Sequence, residues 1–233
     1  MKKHIPNTIT CCNLISGCIA TYFAFKGEYS TALTFIVVGA IFDFFDGFAA
    51  RLLKVSSPIG KELDSLADVI TFGFAPAALV FSALSSYFTA ESGDLLVYVP
   101  CLAFLIAAFS ALRLAKFNLD ERQTMGFIGL PTPANALFWA TLIVSLPASF
   151  SAEPWLPYTL MVVGILISCW LLVSEIPMFA LKFKSFGWKH NELRYVFILL
   201  SAILIAILGL AAFVVIIPLY IIVSVINNKF SKQ

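Results

Sequence analysis

Four aspartates lie close together in this otherwise apolar chain, within the stretch FDFFDGFAARLLKVSSPIGKELDSLAD at 42–68. Asp43 and Asp46 are three residues apart and Asp64 and Asp68 are four apart, so each pair lies on one face of a helix. An ionised carboxylate in apolar surroundings is costly unless a positive group meets it. Oxygen donors without a soft ligand suit Mg²⁺ or Mn²⁺, and four carboxylates could hold two such ions. Paired ions suit chemistry at phosphorus, because they neutralise the phosphate and stabilise the leaving oxygen.

A purely structural role would make these aspartates helix caps or ion-pair partners of Arg51, Lys54 and Lys61. Capping explains at most one of them, since aspartate favours helix N-termini. Asp43 and Asp46 lie instead toward the C-terminal part of their helix, where negative charge opposes the helix dipole. Three cations around one turn do not easily neutralise four acids that converge from two faces. We therefore interpret the cluster as a divalent-metal site.

Two consecutive helices must position the cluster. The stretch RLLKVSSPIG at 51–60 predicts the turn between them, because Ser-Ser-Pro and glycine interrupt helices. Asp43, Asp46 and Gly47 share one face of the first helix. The small residues Gly47 and Ala50 would let a substrate approach that face closely. Each helix is therefore expected to present a pair of carboxylates about one turn inside the membrane, near the end that both helices share.

The composition of the chain predicts a protein embedded in a membrane. Of its 233 residues, 61% are hydrophobic and only 12% are charged, whereas about a quarter are charged in soluble domains. The mean hydropathy is +0.96. The cysteines show no CxxC or Cys/His spacing, and His4 and His190 are isolated, so a zinc site or a Ser-His-Asp triad has little support. We expect an all-α, polytopic helical bundle that forms a single domain over residues 1–233.

Runs of about 20 apolar residues predict the membrane spans. The last run, 194–228, would form a helix of about 52 Å, which exceeds a hydrocarbon core of about 30 Å. A reversal near Gly209 would divide this run into a hairpin and bring the total to about eight transmembrane helices. The predicted spans are 6–25, 31–53, 62–87, 95–114, 132–151, 156–176 and 194–228.

The distribution of charge predicts the orientation in the membrane. With eight spans, every lysine and arginine except Lys26 falls on one side of the membrane. Lys26 falls on the other side, together with Glu28, Glu91, Asp94 and Glu153. Because cations favour the cytoplasmic side, we expect both termini and the active site on that side of the cell (inner) membrane.

The full spacing of the cluster is Asp-x2-Asp-Gly-x2-Ala-Arg-x8-Gly-x3-Asp-x3-Asp. This pattern resembles the signature of the CDP-alcohol phosphotransferases, integral membrane enzymes of phospholipid synthesis. Its fixed positions in this chain are Asp43, Asp46, Gly47, Ala50, Arg51, Gly60, Asp64 and Asp68. The stretches IPNTITCCNLISG, LDSLADVITFGFAPA, ALRLAKFN, GLPTPANA and IPMFALKFK resemble the phosphatidylserine synthase branch of that family. Relatives that use glycerophosphate usually carry Pro and Lys where this chain has Ser65 and Val69.

The resemblance implies transfer of the phosphatidyl group from CDP-diacylglycerol to the hydroxyl of L-serine, with release of CMP. It implies two bound cations, Mg²⁺ or Mn²⁺, one held by Asp43, Asp46 and Asp64 and the other by Asp43, Asp64 and Asp68. Asp68 is also the expected general base, which takes the proton of the serine hydroxyl. The resemblance further implies a homodimer among membrane lipids, and no nucleic acid is expected as a partner.

The residues that contact the substrates are expectations from the same resemblance. The predicted contacts to the CDP-lipid are Asn7, Thr10, Gly47, Ala50, Arg51 and Ser57. Among these, Arg51 suits a pyrophosphate oxygen, because its planar donors match phosphate. Arg113, with Lys116 and Asn118 nearby, is the candidate for the carboxylate of serine, although it could equally anchor the topology. Glu175 could face the ammonium of serine or simply reach the membrane interface.

Other functions remain open on the sequence alone. The same chemistry could use another acceptor alcohol, such as inositol phosphate or glycerol phosphate, or an archaeal ether-lipid donor. A divalent-cation transporter could also place aspartates within its helices. Transport sites usually lie near the bilayer midplane on broken helices, whereas these acids lie near one mouth of the bundle. This location favours an enzyme over a divalent-cation transporter.

Overall fold

The computed structural model describes residues 4–55, 57–86, 96–120, 127–146, 155–179, 187–188 and 191–230. Helices account for most of them, which confirms the expected helical membrane fold. The helices of this part of the chain are α1 (His4–Phe25), α2 (Tyr29–Leu52), α3 (Pro58–Asp68), α4 (Ala75–Ser85), α5 (Phe104–Leu119), α6 (Thr132–Ser145), α7 (Trp155–Val173), α8 (Glu192–Leu208) and α9 (Phe213–Phe230). Two short strands, β1 (Phe127–Ile128) and β2 (Pro177–Met178), pair antiparallel.

Several helices join into longer rods. A π-helical segment, Val69–Phe74, connects α3 directly to α4, and a 3₁₀-helical segment, Leu96–Ala103, leads into α5. Within the described residues, five helical stretches are long and apolar enough to cross a membrane, and a shorter apolar helix spans Tyr158–Val173. The chain is therefore a multi-pass membrane protein, while the count of eight crossings stays a prediction. The five stretches are His4–Phe25, Tyr29–Leu52, Pro58–Ser85, Leu96–Leu119 and Glu192–Asn228.

The last of these stretches reverses direction at the predicted position. Gly209 has a φ of +60°, a conformation that residues with a side chain rarely adopt. The ring centroids of Phe197 in α8 and Tyr220 in α9 lie 5.8 Å apart. A continuous helix would separate these residues by about 35 Å at 1.5 Å per residue, so α8 and α9 form a hairpin.

The turn that carries the signature is shorter than the sequence predicted. We expected Gly60 in the turn and the next span from residue 62, but α3 already begins at Pro58. The Ser57 side chain accepts a hydrogen bond of 3.0 Å from the Gly60 amide, and proline occupies the first helical turn. A serine cap followed by proline starts a helix efficiently, which brings Gly60 into the first turn of α3.

The π-helical segment is locked between α1 and α2 by two glycines. A Cβ added at Gly17 of α1 would lie 2.5 Å from Thr71 Oγ1, and one at Gly39 of α2 would lie 2.4 Å from Thr71 Cγ2. Thr71 is fully buried, and its hydroxyl donates to the Asn13 carbonyl oxygen at 2.9 Å. Because Thr71 follows Asp68 by three residues, this packing fixes the position of the end of α3.

Two apolar cores hold the bundle together. The larger core packs residues of α1, α2, α4, α6 and α7 around Phe72 and Trp139. The smaller core joins Leu130, which follows β1, and Met178 of β2 to α8 and α9. Hydrogen bonds from Lys61 to Asn118 and from Arg113 to Thr132 join the start of α3, the end of α5 and the start of α6. The helix ends that carry the predicted site residues therefore gather at one end of the bundle.

Candidate active site

Three of the four aspartates meet where α2 and α3 face each other. One carboxylate oxygen each from Asp43, Asp64 and Asp68 lies within 4.8 Å of the others. Asp68 is buried, with 8% of its surface exposed, and the other two are half-buried. Among the residues that the structure describes, no lysine or arginine forms an ion pair with these carboxylates. The ion-pair interpretation of the cluster therefore has no support in this part of the chain.

The donor set fits a hard divalent cation. The three clustered side chains offer only carboxylate oxygens, which suit Mg²⁺, Mn²⁺ or Ca²⁺ rather than zinc or copper. Asp64 Oδ1 is buried and has no hydrogen-bond partner within the described ranges. A buried carboxylate oxygen without a partner is costly, and a bound cation would remove that cost.

The fourth aspartate is held by α1 instead of joining this group. The Thr10 hydroxyl donates a hydrogen bond of 2.6 Å to Asp46 Oδ2, and both side chains are buried. We predicted Thr10 as a contact to the CDP-lipid, and the structure places it beside a predicted metal ligand. The participation of Asp46 in a metal site stays a prediction, because its carboxylate lies outside the group of three.

Asn13 is a site residue that the sequence reasoning missed. It is fully buried on α1, and its Nδ2 donates to Asp68 Oδ1 at 3.2 Å. Its own Oδ1 has no hydrogen-bond partner among the described residues. The signal available in the sequence was its spacing from Thr10, since residues three apart share a helix face. Asn13 therefore orients the carboxylate of Asp68 from the opposite helix.

An open cavity of about 230 Å³ adjoins the aspartates. Five of the six residues predicted to contact the CDP-lipid line it, and so do two of the aspartates. These residues are Asn7, Thr10, Gly47, Ala50, Ser57, Asp46 and Asp64. The sixth, Arg51, is not among the lining residues, but its Nη1 would lie 3.6 Å from a Cβ at Gly47. The cavity also contacts four residues that we did not predict as contacts: Pro6, Val55, Gly60 and Lys61.

The two signature glycines have different structural roles. A Cβ at Gly60 would lie 3.0 Å from Ser57 Oγ and 3.1 Å from Asn7 Oδ1, so glycine here permits close packing of α1 against α3. Among the residues that the structure describes, a Cβ at Gly47 would meet only Arg51 Nη1, at an ordinary contact distance of 3.6 Å. Packing within the described residues therefore does not require glycine at position 47, and the bare α2 backbone there borders the cavity.

Arg113 is a buried cation whose hydrogen bonds are incomplete. Only 6% of its surface is exposed, and its Nη1 donates to Thr132 Oγ1 at 3.2 Å. Its guanidinium carbon lies 5.2 Å from the ring centroid of Phe117 and 5.9 Å from that of Phe127. Its Nε and Nη2 have no hydrogen-bond partner within the described part of the chain. A Cβ at Gly73 would lie 3.1 Å from Ser110 Cβ, so α5, the helix that carries Arg113, packs against the π-helical segment that follows Asp68.

The structure separates the remaining predicted serine contacts. Lys116 and Glu175 line a narrow cleft together with Arg113. Asn118 does not line this cleft: its Nδ2 donates to Ser65 Oγ at 2.8 Å, and its carbonyl oxygen accepts from Lys61 Nζ at 2.9 Å. Asn118 therefore fastens the end of α5 to α3.

Comparison with known proteins agrees with this site. A family model described as CDP-alcohol phosphatidyltransferase matches residues 3–226. A protein of Bacillus subtilis (strain 168) is 37% identical over 190 residues, which cover 81% of this chain and 93% of the relative. One of Helicobacter pylori (strain ATCC 700392 / 26695) is 32% identical over 227 residues, which cover 97% and 91% respectively.

A third relative, from Methanocaldococcus jannaschii, is 30% identical over 208 residues, which cover 82% of this chain and 94% of the relative. All three relatives carry the name CDP-diacylglycerol–serine O-phosphatidyltransferase. The family match spans both the aspartate cluster and the cavity beside it. The chain belongs to the CDP-alcohol phosphatidyltransferase family.

Proposed function

We propose that this protein transfers the phosphatidyl group of CDP-diacylglycerol to the hydroxyl of L-serine and releases CMP. The observation that carries the proposal is the meeting of three carboxylates from two helices beside a cavity lined by signature residues. The names of the relatives support serine as the acceptor. Phosphoryl transfer depends mainly on positioning and charge compensation, which are what these groups supply.

The cavity between α1, α2 and α3 receives the CDP end of the donor in this proposal. Asn7 and Ser57 offer polar groups at its wall, and the bare face at Gly47 lets the nucleotide approach the α2 backbone. Arg51, beside Gly47, is placed to donate to an oxygen of the pyrophosphate. The acyl chains would then extend away from the aspartates toward the lipid.

Two divalent cations, Mg²⁺ or Mn²⁺, complete the proposed site. Asp43, Asp64 and Asp68 would hold one, and Asp46 would share the other with Asp43 and Asp64. When bound, the cations compensate the negative charge of the pyrophosphate at the phosphorus that is attacked. Asn13 keeps one oxygen of Asp68 engaged and so orients the carboxyl group.

Asp68 accepts the proton of the serine hydroxyl in the proposed reaction. The serine oxygen forms a bond to the β-phosphorus of the donor, the bond from that phosphorus to the bridging oxygen breaks, and CMP leaves with the bridging oxygen. Arg113 lies on α5, which packs against the π-helical segment that follows Asp68. Its Nε and Nη2, which have no partner among the described residues, can bind the serine carboxylate in a bidentate pair.

The membrane setting follows from charge and family. All lysines and arginines except Lys26 fall on one predicted side, so we propose that the site opens to the cytoplasm from the cell (inner) membrane. CMP would then be released where serine is also available. We further expect a homodimer, as the family resemblance implies.

An acceptor panel tests the proposed substrate. Purified protein in lipid nanodiscs receives CDP-diacylglycerol and Mg²⁺, and CMP release is measured with L-serine, glycerol phosphate, inositol phosphate or no acceptor. A parallel series uses an archaeal ether-lipid donor. We expect CMP release with L-serine at least about tenfold above the other acceptors. If labelled serine yields no lipid product while another acceptor does, the proposed substrate is wrong.

A further inference from the structure

A second cavity lies between α7 and α9, with α6 as its floor, and it encloses about 330 Å³. Among the described residues it shares no lining residue with the cavity beside the aspartates. Ile167 of α7 and Ile222 of α9 line it, and 52% and 55% of their surfaces are exposed. The cavity therefore opens to the outside of the bundle, which in a multi-pass membrane protein is the side of the lipid.

A buried amide on the floor of this cavity has no hydrogen-bond partner for its nitrogen. Asn135 of α6 lines the cavity with 1% of its surface exposed. Trp139 Nε1, which can only donate, donates to Ser168 Oγ at 3.1 Å, and the Ser168 hydroxyl donates in turn to Asn135 Oδ1. This chain of hydrogen bonds fixes the orientation of the carboxamide. Asn135 Nδ2 is left buried without a partner among the described residues.

The packing of α6 against α7 keeps this hydrogen-bond chain in place. A Cβ added at Gly164 of α7 would lie 3.1 Å from Trp139 Cη2, so glycine lets the indole lie directly against α7. Trp139 is 1% exposed and belongs to the larger apolar core. Because the indole and the serine are both held, the amide nitrogen of Asn135 does not gain a partner by turning over.

A water molecule is a poor partner for this nitrogen. A buried water usually needs two to four polar partners. Within the described residues, Asn135 and Ser168 are the only polar side chains that line the cavity, and the Ser168 hydroxyl already accepts one hydrogen bond and donates another. The remaining lining side chains are apolar or glycine. The cavity therefore suits a molecule that is mostly hydrocarbon and carries one hydrogen-bond acceptor.

The depth of Asn135 matches that of a lipid ester. It follows Thr132, the first residue of α6, by three residues, which is about 4.5 Å along the helix. Ser168 lies five residues before Val173, where α7 ends. The amide is therefore about one turn from the helix ends. The ester groups of a glycerolipid lie at a similar depth, where the hydrocarbon core meets the headgroups.

We infer that this cavity binds an acyl chain of a membrane glycerolipid, whose ester carbonyl oxygen accepts a hydrogen bond from Asn135 Nδ2. The chain fills the gap between α7 and α9, where an empty cavity would leave its apolar walls without contacts. This lipid is neither a donor nor a product at the aspartates, because the two cavities have no lining residue in common in the described part of the chain. The inference does not depend on the proposed substrates.

The test compares two lipids that differ only at the proposed contact. Purified protein in detergent is titrated with a diacyl phosphatidylcholine or with its dialkyl ether analogue of equal chain length, which has no ester carbonyl. Native mass spectrometry measures the Kd of the first lipid that the protein retains. We expect the parent protein to bind the diacyl lipid about fivefold more tightly, which is the effect of about one hydrogen bond.

Two variants test whether this preference arises in the cavity. Asn135→Leu removes the donor at a similar side-chain volume, so its Kd values for the two lipids should be equal. Asn227→Leu makes the same change at a half-buried position of α9 that does not line the cavity, and it should keep the preference of the parent.

Equal Kd values for the two lipids in the parent protein would overturn the inference, and this comparison does not require any variant to fold. A fivefold preference that persists in Asn135→Leu would overturn it as well. A parent protein that retains neither lipid would also overturn it, and would favour a second copy of the chain as the cover of this cavity.

Discussion

At the scale of single residues, the spacing of the signature carried most of the information about the site. It predicted that all four aspartates converge, and oxygens of Asp43, Asp64 and Asp68 do lie together, whereas Asp46 is held by Thr10 outside this group. It did not indicate Asn13, which is 55 residues from its partner Asp68 in the chain. An asparagine within an apolar helix looks like an interruption until the facing helix is known. The spacing of Asn13 from Thr10 places both on one face of α1, but the residue that Asn13 meets on α3 depends on how the two helices pack.

Replacing the proposed base tests its role directly. We expect Asp68→Asn to lower kcat by at least about 100-fold, because the amide cannot accept the proton of the serine hydroxyl. Binding of CDP-diacylglycerol should be largely retained, since Asp43, Asp46 and Asp64 remain. The readouts are CMP release and binding of a labelled donor. Near-normal turnover in this variant would exclude Asp68 as the base.

Gly47→Ala tests whether glycine at this position is required for ligand binding or for folding. Among the described residues a Cβ at Gly47 would meet only Arg51 Nη1, at 3.6 Å, and alanine favours a helix more than glycine does, so Gly47→Ala should fold with an unchanged or slightly higher Tm. The added methyl group would project toward the cavity wall, so we expect the KM for CDP-diacylglycerol to rise about tenfold. Thermal unfolding and CMP release measure the two effects. A parent-like KM would show that the donor does not approach this face.

Arg113 should be sensitive even to a conservative change. Arg113→Lys keeps the charge but loses the edge formed by Nε and Nη2, so we expect the KM for L-serine to rise about tenfold or more. The KM for CDP-diacylglycerol should change less. Lys116→Arg is the matched control, since it keeps a cation at an exposed position of the same cleft. A larger effect on the lipid than on serine would move Arg113 to the donor site.

At the scale of elements, sequence reasoning predicted which segments are helical but not how they join. The π-helical segment after Asp68 contains no proline and reads as ordinary helix, because one wider turn leaves no clear mark in apolar periodicity. The β1–β2 pair is only two residues long on each side, too short for an alternating pattern. We expected Gly60 in the turn, because Ser57, Pro58 and Gly60 are together residues that interrupt a helix. In the structure Ser57 instead caps the start of α3.

Gly17 and Gly39, which pack against Thr71, allow a test of how the π-helical segment is held. We expect Gly39→Ala to lower the Tm by several degrees and to reduce activity, because a Cβ there would lie 2.4 Å from Thr71 Cγ2. The control is Gly187→Ala, since a Cβ at that position meets no atom of the described residues within 4 Å. Both variants are compared by thermal unfolding in detergent. Equal Tm values for the two variants would contradict the proposed locking of the π-helical segment by α2.

At the scale of the whole molecule, a length argument was sufficient for the last hairpin, while the orientation drawn from charge stays a prediction. A run too long for one crossing predicted the α8–α9 hairpin, and Phe197 and Tyr220 meet across it. Arg113, Lys116 and Glu175 were candidate contacts of serine, and they line one narrow cleft, whereas Asp120 and Ile128, which also line it, were not predicted. Its formation depends on the gathering of distant helix ends, which only the folded chain displays.

The central claim is that the aspartate cluster works through bound divalent cations. The most direct test is CMP release with CDP-diacylglycerol and L-serine by protein that has been stripped with a chelator and shown by elemental analysis to be metal-free. We predict no turnover above background in this protein, and recovery when Mg²⁺ or Mn²⁺ is returned in excess of the chelator. Turnover at the native rate in the metal-free protein would contradict the account.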